Sequence, residues 1–390
     1  MDVRKLSGQE RFEADLISTV AFHMRMEDPE KSREKSMQET VEDWGAFAGD
    51  GRIMARIINH RYEVRLDGRT VPCGGIGAVS TLPEYRNTGA IRQIFAKLLP
   101  EAYRNGEVLS ALYPFNHAFY RKFGYETVRW RNDYEFEPAV LSGYRFTGTA
   151  ELWKTGDPVG EYTALYNRFA EGYNLSMLRN EKMMLDHLKG DYYRDRKFCY
   201  MLREDGKAVA YLIFQDIRSD PAAILSVQDL AWDGRAGLYA VLGFLARFTA
   251  DYGTVRLYLP ASLELLSVIR SPRAYDIRQT AQQAYMVRAV NARKVLEFMK
   301  KPDDSRFVIR VEGDAQIPEN NGTFEVCGNS AVPSDAAPDM TVSVQALGQM
   351  AAGCVSLSEA LYRPDVTLTG NRDLFERVFV RKPILVGEHF

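Results

Sequence analysis

Two stretches about thirty residues apart limit what this chain can build more than anything else in it: Val79-Ser-Thr-Leu-Pro-Glu-Tyr-Arg-Asn-Thr-Gly-Ala-Ile-Arg92 and Leu112-Tyr-Pro-Phe-Asn-His-Ala-Phe-Tyr-Arg-Lys-Phe-Gly-Tyr125. The first reads as a strand through Leu82, a short turn with Arg86 and Gly89, then a helix to about Leu99. Gly89 lets the backbone turn without a Cβ clash, so successive N–H groups can point outward at the helix start. Such amides at the positive end of a helix dipole suit phosphate oxygens, and Arg86 adds a full charge beside them. The second stretch reads as strand, open Asn turn, short helix, then a Gly-Tyr turn into another strand. Together they can hold a pyrophosphate and deliver an attached reactive group to a tyrosine, which points to acetyl-coenzyme A.

Taken singly these signals are weak. Arg-x-x-Gly after a strand is as often a surface turn, and Phe-Tyr-x-x-x-Gly-Tyr is often an amphipathic helix ending at a Gly cap. Their order and spacing, each after a strand, give them weight. The rest of the composition excludes more than it selects. At 390 residues two or three domains are expected. A net charge of −2 gives no electrostatic reason for a nucleic-acid partner. No apolar run reaches membrane-spanning length, and Met1-Asp-Val-Arg-Lys5 lacks the apolar stretch of a signal peptide, so a cytoplasmic location is expected. Cys73, Cys199, Cys327 and Cys354 are scattered and read as buried free thiols; with five dispersed histidines, no metal site is expected.

Along the chain, residues 1–150 read as one mixed α/β unit. A helix over Leu16–Met26 and a charged helix over Glu30–Trp44 precede strand-like runs at Gly51–His60, Tyr62–Val71 and Ile76–Leu82, with Asp67-Gly68 as a hairpin turn. Helix Gly89–Leu99, strand Val108–Tyr113, helix Ala118–Phe123 and strand Glu126–Phe136 complete it. Residues 151–290 repeat the outline faintly: a hairpin around Asp205-Gly206, strand Ile224–Trp232, helix Ala236–Tyr252 and strand Val255–Leu259. The corresponding turn reads Trp232-Asp-Gly-Arg-Ala-Gly237, where an acid replaces the phosphate-binding pattern, so this copy is degenerate. Residues 291–390 begin with Asn291 as an N-cap and alternate strands with short helices. An apolar strand, Pro383–Val386, precedes the last residues.

On these residues the chain resembles the GNAT family of acyl-CoA N-acyltransferases, whose coenzyme signature Arg/Gln-x-x-Gly-x-Gly/Ala is met by Arg86 and Gly89 and departed from at Ile91. The three-part layout is similar, over essentially the whole chain, to a narrower group, the enhanced intracellular survival (Eis) acetyltransferases. There Val-Ser-x-x-Pro-x-x-Arg-x-x-Gly-x-aliphatic-Arg is the motif, which Ile91 fits. The Met286-Val-Arg288-Ala-Val-Asn291 passage and the terminal Phe390 are further points of likeness. The resemblance implies tandem GNAT folds, the second degenerate, followed by a sterol-carrier-protein-like domain. It further implies that Val79, Ser80 and Thr81 pair their backbone with the pantetheine arm, and that Arg86, Asn87, Thr88, Gly89, Ala90, Ile91 and Arg92 wrap the pyrophosphate. Phe115 and Asn116 contact the coenzyme near its thioester, Tyr120 is the general acid, and the α-carboxylate of Phe390 is the general base. The acceptor is a primary amine, an aminoglycoside or another polycation among the options. A homo-oligomer is implied, with a hexamer as one form.

The chemistry is workable. Tyrosine titrates near about 10 and a thiol near about 8.5, so proton donation runs mildly uphill; an α-carboxylate at about 3.3–3.7 is a feeble base unless burial raises it. A backbone N–H near Thr81 can serve as oxyanion donor. Glu27 and Asp28 either line an acidic pocket for a cationic acceptor or form a solvated helix end. A second class of function stays open: a lipid or small-ligand binding module with a vestigial coenzyme site.

Overall fold

Asp67-Gly68 closes a hairpin in which both residues take positive φ, 53° and 80°, and the first sheet grows around it. The computed structural model describes residues 1–26, 28–38, 41–219, 222–269, 276–282 and 285–388. Two compact units are formed: Met1–Val128 with Ala284–Lys382 and the last residues from Glu388, and Arg129–Gln283 with Pro383–Gly387.

The first unit starts with β1 (Asp2–Lys5), α1 (Gly8–Ala21), α2 (Pro29–Gln38), β2 (Glu42–Phe47), β3 (Ile53–Leu66), β4 (Arg69–Thr81), α3 (Ala90–Arg104), β5 (Leu109–Leu112), α4 (His117–Arg121) and β6 (Glu126–Thr127). The second contains β7 (Arg131–Phe136), β8 (Thr149–Leu152), α5 (Gly160–Ala170), α6 (Glu181–Leu188), β9 (Lys197–Glu204), β10 (Lys207–Ser219), β11 (Ala222–Trp232), α7 (Gly234–Ala246), β12 (Thr254–Pro260), α8 (Leu265–Val268) and β13 (Ile277–Gln282). The chain then returns to the first unit with β14 (Met286–Ala289), α9 (Ala292–Phe298), β15 (Arg306–Glu312), β16 (Gly322–Cys327), β17 (Ser330–Pro333), β18 (Met340–Ser343), α10 (Val344–Ala351), α11 (Leu357–Ala360), β19 (Val366–Leu368) and α12 (Arg372–Val378). The sheet orders are β1-β2-β3-β4-β5-β14-β6, β13-β7-β12-β11-β10-β9-β8 and β17-β16-β15-β18-β19.

Both seven-stranded sheets share a core motif. An antiparallel run leads through a helix to a parallel neighbour: β4 to α3 to β5 in one, β11 to α7 to β12 in the other. The helix α3 is held by Ile94, Phe95, Leu98, Leu99 and Ala102, buried at helical spacing against the first sheet. The fold is therefore mixed α/β, with a degenerate second copy and a third five-stranded sheet.

The structure corrects several expectations. The helix expected over Glu30–Trp44 ends at Gln38, and Glu42–Phe47 is a strand instead, because Asp43, Trp44 and Ala46 are buried against β3. Tertiary pairing overrides the helical period there. The strand expected over Glu126–Phe136 breaks in two, and its second half joins the second sheet through β12 and β13. Pro383–Val386 contributes one bridge, Asn174 to Ile384, rather than a strand. Cys327 is exposed, whereas Cys73, Cys199 and Cys354 are buried thiols. Among the described residues no helix is long and apolar enough to cross a membrane.

One buried group gives the first unit a pH signature. Asn59 donates from Nδ2 to Glu107 Oε1 at 2.9 Å, while Asn59 Oδ1 and Glu107 Oε2 both lack partners. A Cβ on Gly74 would strike both of these oxygens, so they face the same point. A protonated Glu107 would resolve the problem, because an Oε2–H could donate to Asn59 Oδ1 and close a cyclic acid–amide pair. Burial raises Glu107 from about 4.5 to about 7, the Asn59 bond offsetting part of that rise. Between these values the folded chain holds a proton that the unfolded chain has lost. The contribution of Glu107 to stability therefore falls as pH rises through that window, by about 3 kcal/mol, and is constant outside it. Glu107→Gln keeps both bonds and should remove this component of the slope, measured by urea unfolding from pH 5 to 8. An unchanged slope would show that Glu107 is ionised in the fold.

Candidate active site

The site begins where β4 loses a neighbour. β4 pairs with β3 along its length to Thr81, but with β5 only across Cys73–Ile76. Beyond Ile76 the edge that faced β5 is open. In the same place β4 carries a bulge: Ile58 faces Gly77 and Arg56 faces Ser80, so two residues of β4 oppose one of β3. Ala78 takes φ +51° to accommodate it.

After Leu82 the chain makes a short 3₁₀ turn, Pro83–Tyr85, and reaches α3 through two residues with positive φ, Asn87 at 66° and Gly89 at 84°. Gly89 is the N-cap of α3, and the first backbone bond of the helix runs from Gln93 N–H to the Gly89 carbonyl at 3.1 Å. The amides ahead of Gln93 therefore have no acceptor within the helix. Thr88 folds back, its Oγ1 donating to the Tyr85 carbonyl at 2.7 Å. The result is a concave run of backbone N–H groups at a helix N-terminus, a shape suited to an anion.

A cleft of about 880 Å³ joins these parts. Eleven of the residues expected at a coenzyme site line it: Val79, Ser80, Thr81, Arg86, Asn87, Thr88, Gly89, Ala90, Ile91, Arg92 and Phe115. Arg86, Arg92 and Lys122 give it three exposed basic side chains, and no acidic residue lines it among those described. Ile91, out of pattern for the broad signature, turns partly into the core cluster around Ile94 and Phe95 instead of crowding the turn. Phe115 is 71 % exposed beside the ring of Phe119, at 5.1 Å between centroids.

Three expected residues stand apart from that lining. Asn116 caps α4, its side chain accepting from Phe119 N–H at 3.0 Å. Tyr120 is 2 % exposed, with Phe95, Phe115, Phe119 and Tyr125 around its ring. Its burial pushes the phenol above its ordinary value, and among the described residues its hydroxyl makes no hydrogen bond. Phe390 lies outside the described residues; Glu388, two positions earlier, is buried, and its carbonyl accepts from Tyr113 Oη at 2.8 Å just after β5. Glu27 also lies outside them, while Asp28 accepts from Lys31 N–H and so caps the start of α2.

The cleft also takes in Ala21, Phe22, Tyr85, Phe119, Lys122 and Phe123. Phe119, Lys122 and Phe123 follow Phe115 at helical spacing and were recoverable from it. Ala21 and Phe22 come from the end of α1, a tertiary neighbour with no local signal. In the second unit the corresponding gap beyond the parallel pairing of β11 and β12 is only about 10 Å³, lined by Asp229, Trp232 and Tyr258 with Leu385, Val386 and Gly387. Among the described residues no group of acidic, His or Cys side chains could hold a metal ion.

A family model described as an acetyltransferase (GNAT) domain matches residues 2–128, and a sterol carrier protein domain model matches residues 286–385. The chain is 25 % identical over 350 residues, 84 % of each chain, to an uncharacterized N-acetyltransferase of Streptomyces avermitilis. Its fold is similar to that of a probable N-acyltransferase from Enterococcus faecalis (TM-score 0.86, 20 % identity, 100 % of this chain and 99 % of the other). It is also similar to Eis1 from Mycobacterium abscessus (TM-score 0.83, 19 % identity, 100 % of both chains).

If the turn binds an anion through Arg86 and the amides of α3, inorganic pyrophosphate should bind with an affinity that falls as salt rises. Arg86→Ala should weaken that binding about tenfold, the loss of one charge-assisted contact. Calorimetric titration checks both; equal affinity in the variant would remove Arg86 from the anion site.

Proposed function

We propose that the chain, an N-acetyltransferase by its match to a GNAT acetyltransferase domain at its N-terminal end and a sterol carrier protein domain at its C-terminal end, carries an acetyl group from acetyl-coenzyme A to a primary amine. The observation that supports the donor is the cleft itself: an open strand edge leading to a positively flanked helix N-terminus. The coenzyme supplies an acetyl group activated as a thioester. In this reading the backbone of Val79–Thr81 pairs with its pantetheine arm, and Arg86 with the amides of Asn87–Arg92 holds its diphosphate. Phe115 flanks the thioester end, whereas Asn116 acts through the cap it makes on α4.

Tyr120 is the general acid of this reading. An ordinary phenol is already protonated through the neutral range, so Tyr120 has an O–H to offer the departing thiolate, though burial makes it the weaker acid. The α-carboxylate of Phe390 is the general base, taking the ammonium proton directly or through water. Glu388, two positions before it, is held beside the end of β5 by Tyr113, and that supports the assignment. The likeness in fold to Eis1 and the match to the coenzyme motif of that group support an Eis-like enzyme; in this reading it is cytoplasmic and homo-oligomeric, with aminoglycosides or other polycationic amines as acceptors.

The test is thiol release from acetyl-coenzyme A by protein with a native C-terminus, across aminoglycosides, polyamines and lysine peptides. Turnover with one class names the acceptor. No release from any amine, together with co-purified lipid, would favour a binding module instead. Tyr120→Phe should lower kcat about tenfold or more with coenzyme affinity intact; undiminished turnover would remove it from the mechanism. A Gly-Ser extension after Phe390 should suppress turnover in the same way, and a fully active extended chain would exclude the carboxylate.

A further inference from the structure

Arg56 sits near the start of β3 and is 3 % exposed, yet it carries a guanidinium into the fold. Its fork is spent on Asp43 of β2: Nε reaches Oδ1 at 2.9 Å, and Nη2 reaches Oδ2 at 2.6 Å. The remaining nitrogen, Nη1, leaves the sheet and donates to Asp15 and to Ser18 Oγ (3.4 Å), both on α1. Ser18 and Ser80 then share a hydrogen bond at 3.2 Å, and Ser80 Oγ donates to the Ala78 carbonyl at 3.0 Å. The chain of contacts runs from a buried charge in β3, through one turn of α1, into the bulge of β4.

That bulge is where β4 borders the cleft. Ser80 lies in its wall, and Ala78, whose carbonyl Ser80 grips, has the positive φ that creates the bulge. The end of α1 borders the cleft as well, through Ala21 and Phe22, one turn beyond Ser18. A side-chain clamp on strained backbone is what keeps such backbone in one conformation. A lysine at position 56 would keep the charge but could not serve Asp43 and α1 at once, since the fixed fork is what divides the guanidinium between them.

We propose that Arg56 and Ser18 are positioning residues of the donor cleft: by tying α1 to the bulge of β4 they set the backbone at Val79–Thr81 to which the coenzyme arm binds. The inference rests on the donor reading given above. Neither residue meets the reacting atoms, so their loss should raise the donor KM and leave the chemical step intact.

The experiment is a double-mutant cycle with Ser18→Ala, Ser80→Ala and both, read by calorimetric titration with coenzyme A and by steady-state kinetics. Ser18→Ala should weaken coenzyme A about fivefold, the loss of one net hydrogen bond, with the donor KM rising in step and kcat at saturating donor unchanged. In the Ser80→Ala background the Ser18 substitution should cost nothing further. Arg56→Lys should show the same KM-only loss; if it fails to fold, the serine cycle carries the test alone. Unchanged coenzyme affinity in Ser18→Ala, or full additivity in the cycle, overturns the inference and leaves the donor reading standing. No coenzyme binding by the unaltered chain removes both.

Discussion

A strand that loses its neighbour half-way along must find other partners for its backbone, and most of the first unit is arranged around that fact. β4 is paired on both edges across Cys73–Ile76, and beyond that on one edge only. Buried amides and carbonyls left unpaired are costly, and an open edge invites another chain to pair with it. Here the open edge stays short because β4 ends five residues later, at Thr81, where Leu82 N–H turns to the Met54 carbonyl at 3.0 Å. The next regular element is a helix whose first amides are unpaired by construction. Two kinds of unsatisfied backbone thus meet in one cleft, an extended edge and a helix end. A ligand that carries both amide groups and phosphates would answer both.

The second unit shows that topology alone does not make such a site. β11 also pairs antiparallel on one side and parallel on the other, the parallel pairing covering only Ile224–Ser226. Past that point its residues are committed to one another. Asp229 takes a salt bridge from Arg179 at 2.5 Å and a hydrogen bond from Tyr211 at 2.8 Å, and Arg179 also donates to the Gly387 carbonyl. The gap is filled by Leu385–Gly387 of the same unit. At the helix start Asp233 stands where the first unit has Gly89, and Gly237 is pressed so close to the Val209 carbonyl that no Cβ fits. A carboxylate at that point opposes phosphate, and the packed glycine serves the helix rather than a ligand.

What the sequence made legible was local. The hairpin at Asp67-Gly68, the amphipathic α3, the N-cap Asn291 and the turn at Gly89 are each specified by residues within a few positions of one another. The cleft lining is local in the same way, since fifteen of its seventeen residues fall in the stretches Val79–Arg92 and Leu112–Tyr125. What was not legible depends on partners far along the chain. β2 is a strand because Asp43 meets Arg56 and Trp44 is buried against the sheet, neither of which a helical period in Glu30–Trp44 can reveal. The split between β6 and β7 reflects two different sheets claiming neighbouring residues. Ala21 and Phe22 enter the cleft only because α1 is carried across β3 and β4. The burial of Tyr120 likewise comes from the rings of Phe95 and Tyr125, not from its own helix alone.

The C-terminal part reaches the site through backbone rather than through a lining side chain. β14 inserts between β5 and β6, so the first sheet is complete only after the chain returns at residue 285. On β14 stands Arg288, fully buried, which donates to the Phe123 carbonyl at the end of α4 and to Asp314 at 2.5 Å. Removing a guanidinium from water costs several kcal/mol, which only a full set of acceptors offsets. Asp314 is itself fixed by Asn320 and by the amides of Gln316 and Ile317. Gly124, at φ +84°, permits the approach, because a Cβ there would lie 2.9 Å from Arg288 Nη1. The glycine of the Phe-Gly-Tyr turn is therefore required twice, by its φ and by the guanidinium beside it. Since α4 carries Tyr120 and ends beside Phe123, its seat depends on a charge supplied some 165 residues downstream. The C-terminal stretch is in this sense part of the first sheet and of the seat of α4.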